Sequence, residues 1–471
     1  MTFLVLGSGA DIQLLKQLRD EGNKVYYWLP QKFWSEWDEL FKEWEVNWIK
    51  ESELRIPHDV DIVVYTFVGA RELADKVSKN YPFFGADSRM QELELNRELG
   101  KKVMQKLGIK IPRRFSSNID VAIETIKRNK KPMVVKPYNN LPVYTTAVPF
   151  TYEDSIVILE KIKKHFPNAT VLCEEKINGV EVGIETFFDG EDFLYPINVS
   201  FEHKPAYELD QGPLTGETGT LMFYENSPLF YETLNRAKEL FRRLNYHGDI
   251  CIGLIVDMET KIPYGLEWTC RMGYPEILIQ INALKIELGQ LIYNTVFPQP
   301  QKEMPVDDIF LTGVALMGGG SPFEMTYKQY GRGFMIHGLD ELEDGIPVIS
   351  RTMIASASYK NGKFFTGEYD DRPLVIIGKG YTAYESIIDA YRFMRHVKCM
   401  NAFYRTDIGV KYVTHDSKFL YECAYINRDH FVRSYLPEFD PRLTLLKTKI
   451  MEIKKEGGLK EWLIGNALFR S

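Results

Sequence analysis

Cysteine is scarce in this chain, and what there is lies far apart. The five among 471 residues are Cys173, Cys251, Cys270, Cys399 and Cys423. No two form a CxxC pair, so the sequence carries neither a zinc-ribbon nor a dithiol redox signature. Three of them sit in apolar runs, where free buried thiols are expected, and a reducing, cytoplasmic compartment fits best. The eight histidines are dispersed, no HExxH or GxSxG occurs, and a zinc site or a serine nucleophile is not expected. No GxxxxGK[ST] is present, which excludes a P-loop. No apolar run reaches the roughly 18 residues of a spanning helix, so no membrane association is expected. Residues 1–10 hold one short apolar run without a basic start and read as a first strand, not a signal peptide. Positive charge is also in deficit. With 58 Lys and Arg against 65 Asp and Glu the net charge is −7, which disfavours broad attraction to nucleic acid.

The remaining composition, 45% hydrophobic and 26% charged, is that of a globular α/β protein with about two to four domains. Strands are expected at 2–6, 24–29 and 60–66 with a helix at 10–21, a βαβ rhythm that predicts a parallel-sheet domain over residues 1–112. Gly7-Ser8-Gly9 marks the first strand–helix turn. Ile12 stands where a third fingerprint glycine would be, so the turn is no dinucleotide signature, although such a turn can lie near a phosphate. A helix is expected over 93–107, closed by Gly108. Strands follow at 133–136 and 170–176, a hairpin at 180–199 around Asp189-Gly190, and an amphipathic helix at 230–244. Residues 301–415 read as strand-rich with a helix at 384–396. Residues 416–471 form an extension with a basic-leaning helix at 442–463, suited to packing or oligomer contacts.

Four segments carry chemistry. In Gly265-Leu-Glu267-Trp-Thr269-Cys-Arg271, three polar residues alternate after an apolar strand at 250–256, and alternate residues of a strand share a face. A carboxylate, a hydroxyl and a cation on one face supply what phosphoryl transfer needs: hard oxygen ligands for Mg²⁺ and a fixed positive charge. Alone, such alternation is an ordinary solvated face. Lys136 ends an apolar strand and can reach a phosphate as a point charge. Glu174-Glu175-Lys176 leads through Gly179 to Glu181; the backbone there can pair with an adenine edge, and Glu181 can accept ribose hydroxyls. The polar stretch from His203-Lys204 through Gly212, Pro213, Thr215, Gly216 and Gly219 reads as a loop that offers N–H groups to anions and closes over substrate.

Taken in order, these segments resemble an ATP-grasp ligase, and more narrowly the phosphoribosylamine–glycine ligase (GAR synthetase) family. His203-Lys204 with Gly212-Pro213, Thr215-Gly216 and Gly219 resembles its DHK…TGPNTGGMG loop. The run from Glu267 to Glu276 resembles EFNCRFGDPE. Ile336-His337-Gly338-Leu339 resembles IHGL, and Arg405 with Asp407-Ile408-Gly409 resembles R-x-DIG. Asn96-Arg97, before Gly108 and Pro112, resembles the nucleotide-contacting entry helix.

The resemblance implies an ATP-grasp fold: an N-terminal α/β domain (1–112), an ATP-grasp domain (113–300, with subdomains about 113–178 and 179–300), a strand-rich C-terminal domain (301–415) and the extension 416–471. It implies ATP and Mg²⁺ (or Mn²⁺) as cofactors. Arg97, Lys136, Glu174, Glu175, Lys176 and Glu181 would bind ATP, and Glu267 and Thr269 the metal. Glu267 and Arg271 would be catalytic. His203, Lys204, Gly212, Pro213, Thr215, Gly216 and Gly219 would bind substrate. Glycine or another small amino acid would be activated as an acyl phosphate and joined to an amine by a monomer or homodimer. A nucleotide-binding scaffold without ligation is the competing reading.

The departures concern the amine pocket first, and then the cover of the γ-phosphate and the metal site. The family's GNGGREHA, VGPEAPL and TNGGRVL stretches appear as Gly7-Ser-Gly9-Ala, Val64-Tyr-Thr66-Phe and Gly367-Glu-Tyr-Asp-Asp-Arg372. Its glycine-rich flap is replaced at Asn139–Tyr144, an asparagine by Thr269, and an aspartate by Tyr274.

Overall fold

A computed structural model describes residues 1–29, 37–50, 53–137, 146–318, 332–367, 372–435 and 448. They form two compact units. The larger comprises residues 1–100, 182–253 and 267–471, the smaller residues 101–181 and 254–266.

The larger unit begins with a five-stranded parallel sheet: β1 (Thr2–Leu6), β2 (Lys24–Trp28), β3 (Asn47–Ile49), β4 (Ile62–Tyr65) and β5 (Phe83–Phe84), connected by α1 (Ile12–Asp20), α2 (Asp38–Glu43) and α3 (Arg71–Ser78). Phe3, Leu4, Val5 and Leu6 are all buried, as expected of a central strand covered on both faces. The strand order is β3-β2-β1-β4-β5. It reverses between β1 and β4, and open α/β sheets leave their crevice at the carboxyl ends of such a pair.

The expected helix at 93–107 is two helices, α4 (Ser88–Leu95) and α5 (Arg97–Lys106). Asn96 interrupts it by capping α5, accepting from Leu99 N at 3.1 Å, a role asparagine favours over the helix interior.

In the smaller unit, β6 (Arg114–Asn118), β7 (Met133–Pro137) and β8 (Thr170–Glu175) form an antiparallel sheet of order β6-β8-β7. The helices α6 (Ile119–Asn129) and α7 (Tyr152–His165) pack on it through Ile119, Ile123, Ile126, Leu159 and Ile162. Both have strong N-caps, Asn118 and the Thr151–Asp154 capping box.

The second large sheet has eight strands: β9 (Gly179–Asp189), β10 (Ile197–Tyr207), β11 (Gln211–Glu225), β12 (His247–Asp257), β13 (Pro263–Thr269), β14 (Phe310–Leu316), β15 (Thr352–Ile354) and β16 (Leu374–Gly380), in the order β13-β12-β9-β10-β11-β14-β16-β15. Two expectations change here. The stretch at 203–220 is no loop: it lies in β10 and β11, which pair from Ile197 with Glu225 down to a tip at Glu208–Asp210. The helix expected at 230–244 breaks at Thr233, whose backbone is non-helical, and resumes as α8 (Lys238–Leu244).

The helix expected near the C-terminal domain is present as α9 (Ala383–Met394). Of the extension, α10 (Arg428–Ser434) is docked by His430 Nδ1 at 2.7 Å from Glu225 and Arg433 at 2.7 Å from Asp308. The helix expected at 442–463 and the flap replacement at 139–144 lie outside the described residues. The five cysteines are free, and among the described residues no helix is long and apolar enough to cross a membrane.

Candidate active site

Strand β13 ends at Thr269 and so carries Glu267 and Thr269 of the expected alternation, with Arg271 in the bend that follows. Trp268 is buried against Phe241 and donates to Gly100 O at 3.2 Å, which anchors the strand by its inward face. Glu267 and Thr269 therefore share the outward one. Glu267 is half-exposed, with Oε1 3.2 Å from the Lys204 ammonium, and Lys204 also lies 3.3 Å from Glu202. A Cβ on Gly253 would come within 3.3 Å of Glu267 Cγ, so the glycine leaves this carboxylate its room.

Arg271 follows the end of β13. Glu94 of α4 braces the turn, accepting from Arg271 Nε at 3.1 Å and Cys270 N at 2.8 Å, while Arg271 Nη1 donates to Met272 O at 3.0 Å. The guanidinium is thus fixed at one edge.

Among the described residues no three His, Cys, Asp or Glu groups gather in a metal cage. Magnesium is ordinarily held by one or two protein oxygens plus substrate phosphates and water. Glu267 and Thr269 provide such a donor pair, and Lys204 shows that the carboxylate already attracts a cation. The residues present therefore fit the metal.

In the smaller unit, Lys136 on β7 lies 2.6 Å from Glu174 Oε2 on the neighbouring β8. Lys101 of α5 reaches Glu174 Oε1 at 3.1 Å and donates to Gly265 O at 2.9 Å. Burial, reinforced by the Lys136 charge, brings Lys101 down to about 8. Burial alone would raise Glu174, but the two ammonium groups outweigh it and hold the carboxyl below its usual range. Glu175 lies 3.7 Å from Lys131 and donates its N–H to Arg113 O. Lys176 donates to Pro149 O at 2.9 Å and stands over the Phe150 ring. Glu181 is exposed on β9. Arg97, in the larger unit, is exposed at the start of α5.

On the β10–β11 hairpin, Lys204 faces Glu267 while His203 is buried and brought down to about 4 by burial and then by Arg405. His203 is therefore neutral and packs inside the sheet. Thr215 donates to Lys204 O at 2.8 Å. Gly212 has φ +85, and a Cβ there would meet the Tyr207 ring at 2.4 Å; Pro213 beside it is exposed. A Cβ at Gly216 would touch Arg372, and one at Gly219 would meet Gly313 O at 2.6 Å. The hairpin tip is tied down by the fully buried Arg405, which contacts Asp407 at 2.8 Å and Asp210 at 3.1 Å, and by Leu209 N donating to Asp407.

Behind this face lies a buried carboxyl cluster. Asn198 donates to Glu185 at 2.9 Å and to Glu276 at 3.2 Å. Burial raises Asp249 to about 8, and burial with neighbouring acids raises Glu185, Glu276 and Glu217 well above the carboxyl range. The shifts all favour the protonated form of the cluster.

Comparison with known proteins accords with this geometry. Residues 96–277 match the family model described as phosphoribosylglycinamide synthetase, ATP-grasp (A) domain. That part of the chain is an ATP-grasp domain. Its sequence is 27% identical over 344 residues to a phosphoribosylamine–glycine ligase of Halalkalibacterium halodurans, covering 70% of this chain and 76% of that one. A crystal structure of the Thermotoga maritima phosphoribosylamine–glycine ligase superposes with a TM-score of 0.65 at 22% identity, covering 87% of this chain and all of that one. An L-amino acid ligase from Bacillus licheniformis shares the fold with a TM-score of 0.52 at 14% identity, over 85% of this chain and 98% of that one.

Several residues of the site could not be foreseen from the sequence. Lys101 looks like a surface helix lysine until α5 meets β8. Glu94 precedes the motif it braces by 177 positions, and nothing local marks it. Arg405 and Asp407 were visible as a motif, but their hold on the hairpin tip was not.

Proposed function

We propose that this ATP-grasp ligase, using ATP with Mg²⁺ or Mn²⁺, activates glycine or another small amino acid as an acyl phosphate and transfers the acyl group to an amine. The observation that carries this reading is the pair Glu267 and Thr269 on the outward face of β13, with Lys204 against Glu267 and Arg271, braced by Glu94, just beyond the strand's end. Glu267 and Thr269 would hold the metal, which supplies neutralisation of the β- and γ-phosphate oxygens when bound. Arg271 would meet the charge of the transferring phosphoryl group. Lys136, with Lys101 beside it and Arg97, would contact phosphates, and Glu174 keeps the two buried lysines extended and oriented until a phosphate takes its place. Glu175, Lys176 and Glu181 would serve the adenine and ribose. The hairpin face with Lys204, Gly212, Pro213, Thr215, Gly216 and Gly219 would position the amino acid, with His203 as its buried support.

In the reaction a carboxylate oxygen of the amino acid attacks the γ-phosphorus and ADP leaves. The amine nitrogen then attacks the acyl carbon, phosphate leaves with the carboxylate oxygen, and the amine gives up a proton. Exclusion of water protects the acyl phosphate between these steps.

The test is incubation of the full chain with ATP, Mg²⁺, hydroxylamine and single amino acids. One amino acid is expected to yield both ADP and a hydroxamate. ADP and hydroxamate absent with every amino acid, alone and with an amine panel, would favour the non-ligating scaffold.

A further inference from the structure

The crevice where the parallel sheet reverses is the general ligand position of an open α/β sheet, and a glycine turn opening a helix there is a ready anion site. In this chain the turn is already filled. Asp11, fully buried, makes no capping bond to α1; its carboxylate folds back into the Gly7-Ser8-Gly9 turn. Ser8 N donates to Oδ2 and Gly9 N to Oδ1, both at 3.1 Å. Tyr27, from β2, donates to Oδ1 at 2.8 Å, and Thr66, just past β4, donates to Oδ2 at 2.5 Å. Four donors saturate a carboxylate. The Tyr27 ring covers what remains of the turn: a Cβ on Gly7 would lie 2.1 Å from Tyr27 Cε2. Thr66 and Asp11 thereby bridge the two strands whose ends define the crevice.

Tyr274, in the loop that follows β13 and Arg271, belongs to the same neighbourhood: burial and then the Asp11 charge push its phenol up. The closed crevice is therefore beside the loop that would carry phosphoryl chemistry, where a second substrate must approach.

We infer that Asp11 is a specificity-determining residue: its carboxylate occupies the anion position of this crevice, so the amine substrate carries no phosphate there. A phosphate brought to the turn finds the Ser8 and Gly9 N–H groups already held by Asp11 and meets a buried carboxylate, which is discrimination by repulsion. The inference rests on the proposed ligase reading for the word substrate, but its geometry does not.

The test is calorimetric titration of ribose 5-phosphate, and of ribose as the uncharged control, into the full chain saturated with a non-hydrolysable ATP analogue and Mg²⁺. Wild type, Asp11→Asn and Asp11→Gly are compared after thermal unfolding shows them folded; the asparagine keeps an acceptor for the turn and removes the charge. Wild type is expected to show no saturable binding of ribose 5-phosphate, and at least one variant to bind it at least about tenfold more tightly than ribose. Equal binding to wild type and variants overturns the inference, and binding to none overturns the role of Asp11. The readout is heat of binding, so failure to form hydroxamate would remove the ligase reading without touching this result.

Discussion

Lys136 and Glu174 are bonded at 2.6 Å across two adjacent strands, with the carboxylate almost wholly buried. A buried pair of this kind is costly to break from one side, because the remaining charge is stranded. Lys136→Met should therefore do two things. The KM for ATP should rise about tenfold to a hundredfold, the worth of a charge-assisted contact, and the chain should unfold at lower denaturant. Glu174→Gln should lower stability with a smaller change in KM. Steady-state kinetics and urea titration separate the two effects; an unaltered KM for Lys136→Met would remove it from the nucleotide site.

Glu267 is half-exposed and structurally undemanding. Glu267→Gln should reduce ADP release about a hundredfold and leave unfolding within about 0.5 kcal/mol of wild type. Unchanged turnover would displace it as the metal ligand.

Glu94 touches both Arg271 and the Cys270 amide. Glu94→Ala should lower kcat with little effect on the KM for ATP, since it releases Arg271 without removing it. Glu94→Gln, which retains an acceptor, should recover part of the rate. A loss confined to KM would contradict a positioning role.

Much of this site was legible from period and spacing. The alternation at 267 and 269 survives because strand geometry has period two and Trp268 is inside, whereas Arg271 falls in the bend past the strand and takes its place from Glu94. The strands β1, β2 and β4 were equally plain, being short apolar runs between turns. What was not legible depended on distant partners. Asn96 looked like a tolerable helix residue, although its capping chemistry could have signalled the break. The 203–220 stretch looked like a loop for its glycines, yet the cross-strand pairing of β10 with β11 and the buried Arg405 hold it extended. Lys101 and Asp11 carry no local mark at all; each acquires its role from a residue of another strand.

The buried carboxyls predict a pH dependence. Asp249 titrates near 8 in the folded chain against an ordinary 3.8, so between these values the folded state binds more protons and stability falls as pH rises. His203 works in the opposite sense only between about 4 and its ordinary 6.5, and Lys101 only above about 8. The clean window is therefore pH 6.5 to 8. Unfolding free energy should decline there by about 1–2 kcal/mol. Asp249→Asn should flatten the slope in part, since Glu185 and Glu276 titrate in the same direction. A stability that rises across this window would contradict the protonated cluster.

Acyl-phosphate formation is most directly tested by isotope transfer. The amino acid that supports ADP release is supplied with its carboxylate labelled in heavy oxygen, together with ATP, Mg²⁺ and an accepting amine. The released phosphate is then analysed by mass spectrometry. One labelled oxygen is expected in each phosphate, because the carboxylate oxygen leaves on phosphorus. Unlabelled phosphate alongside ADP release would mean that water attacks ATP, and would contradict acyl-phosphate formation.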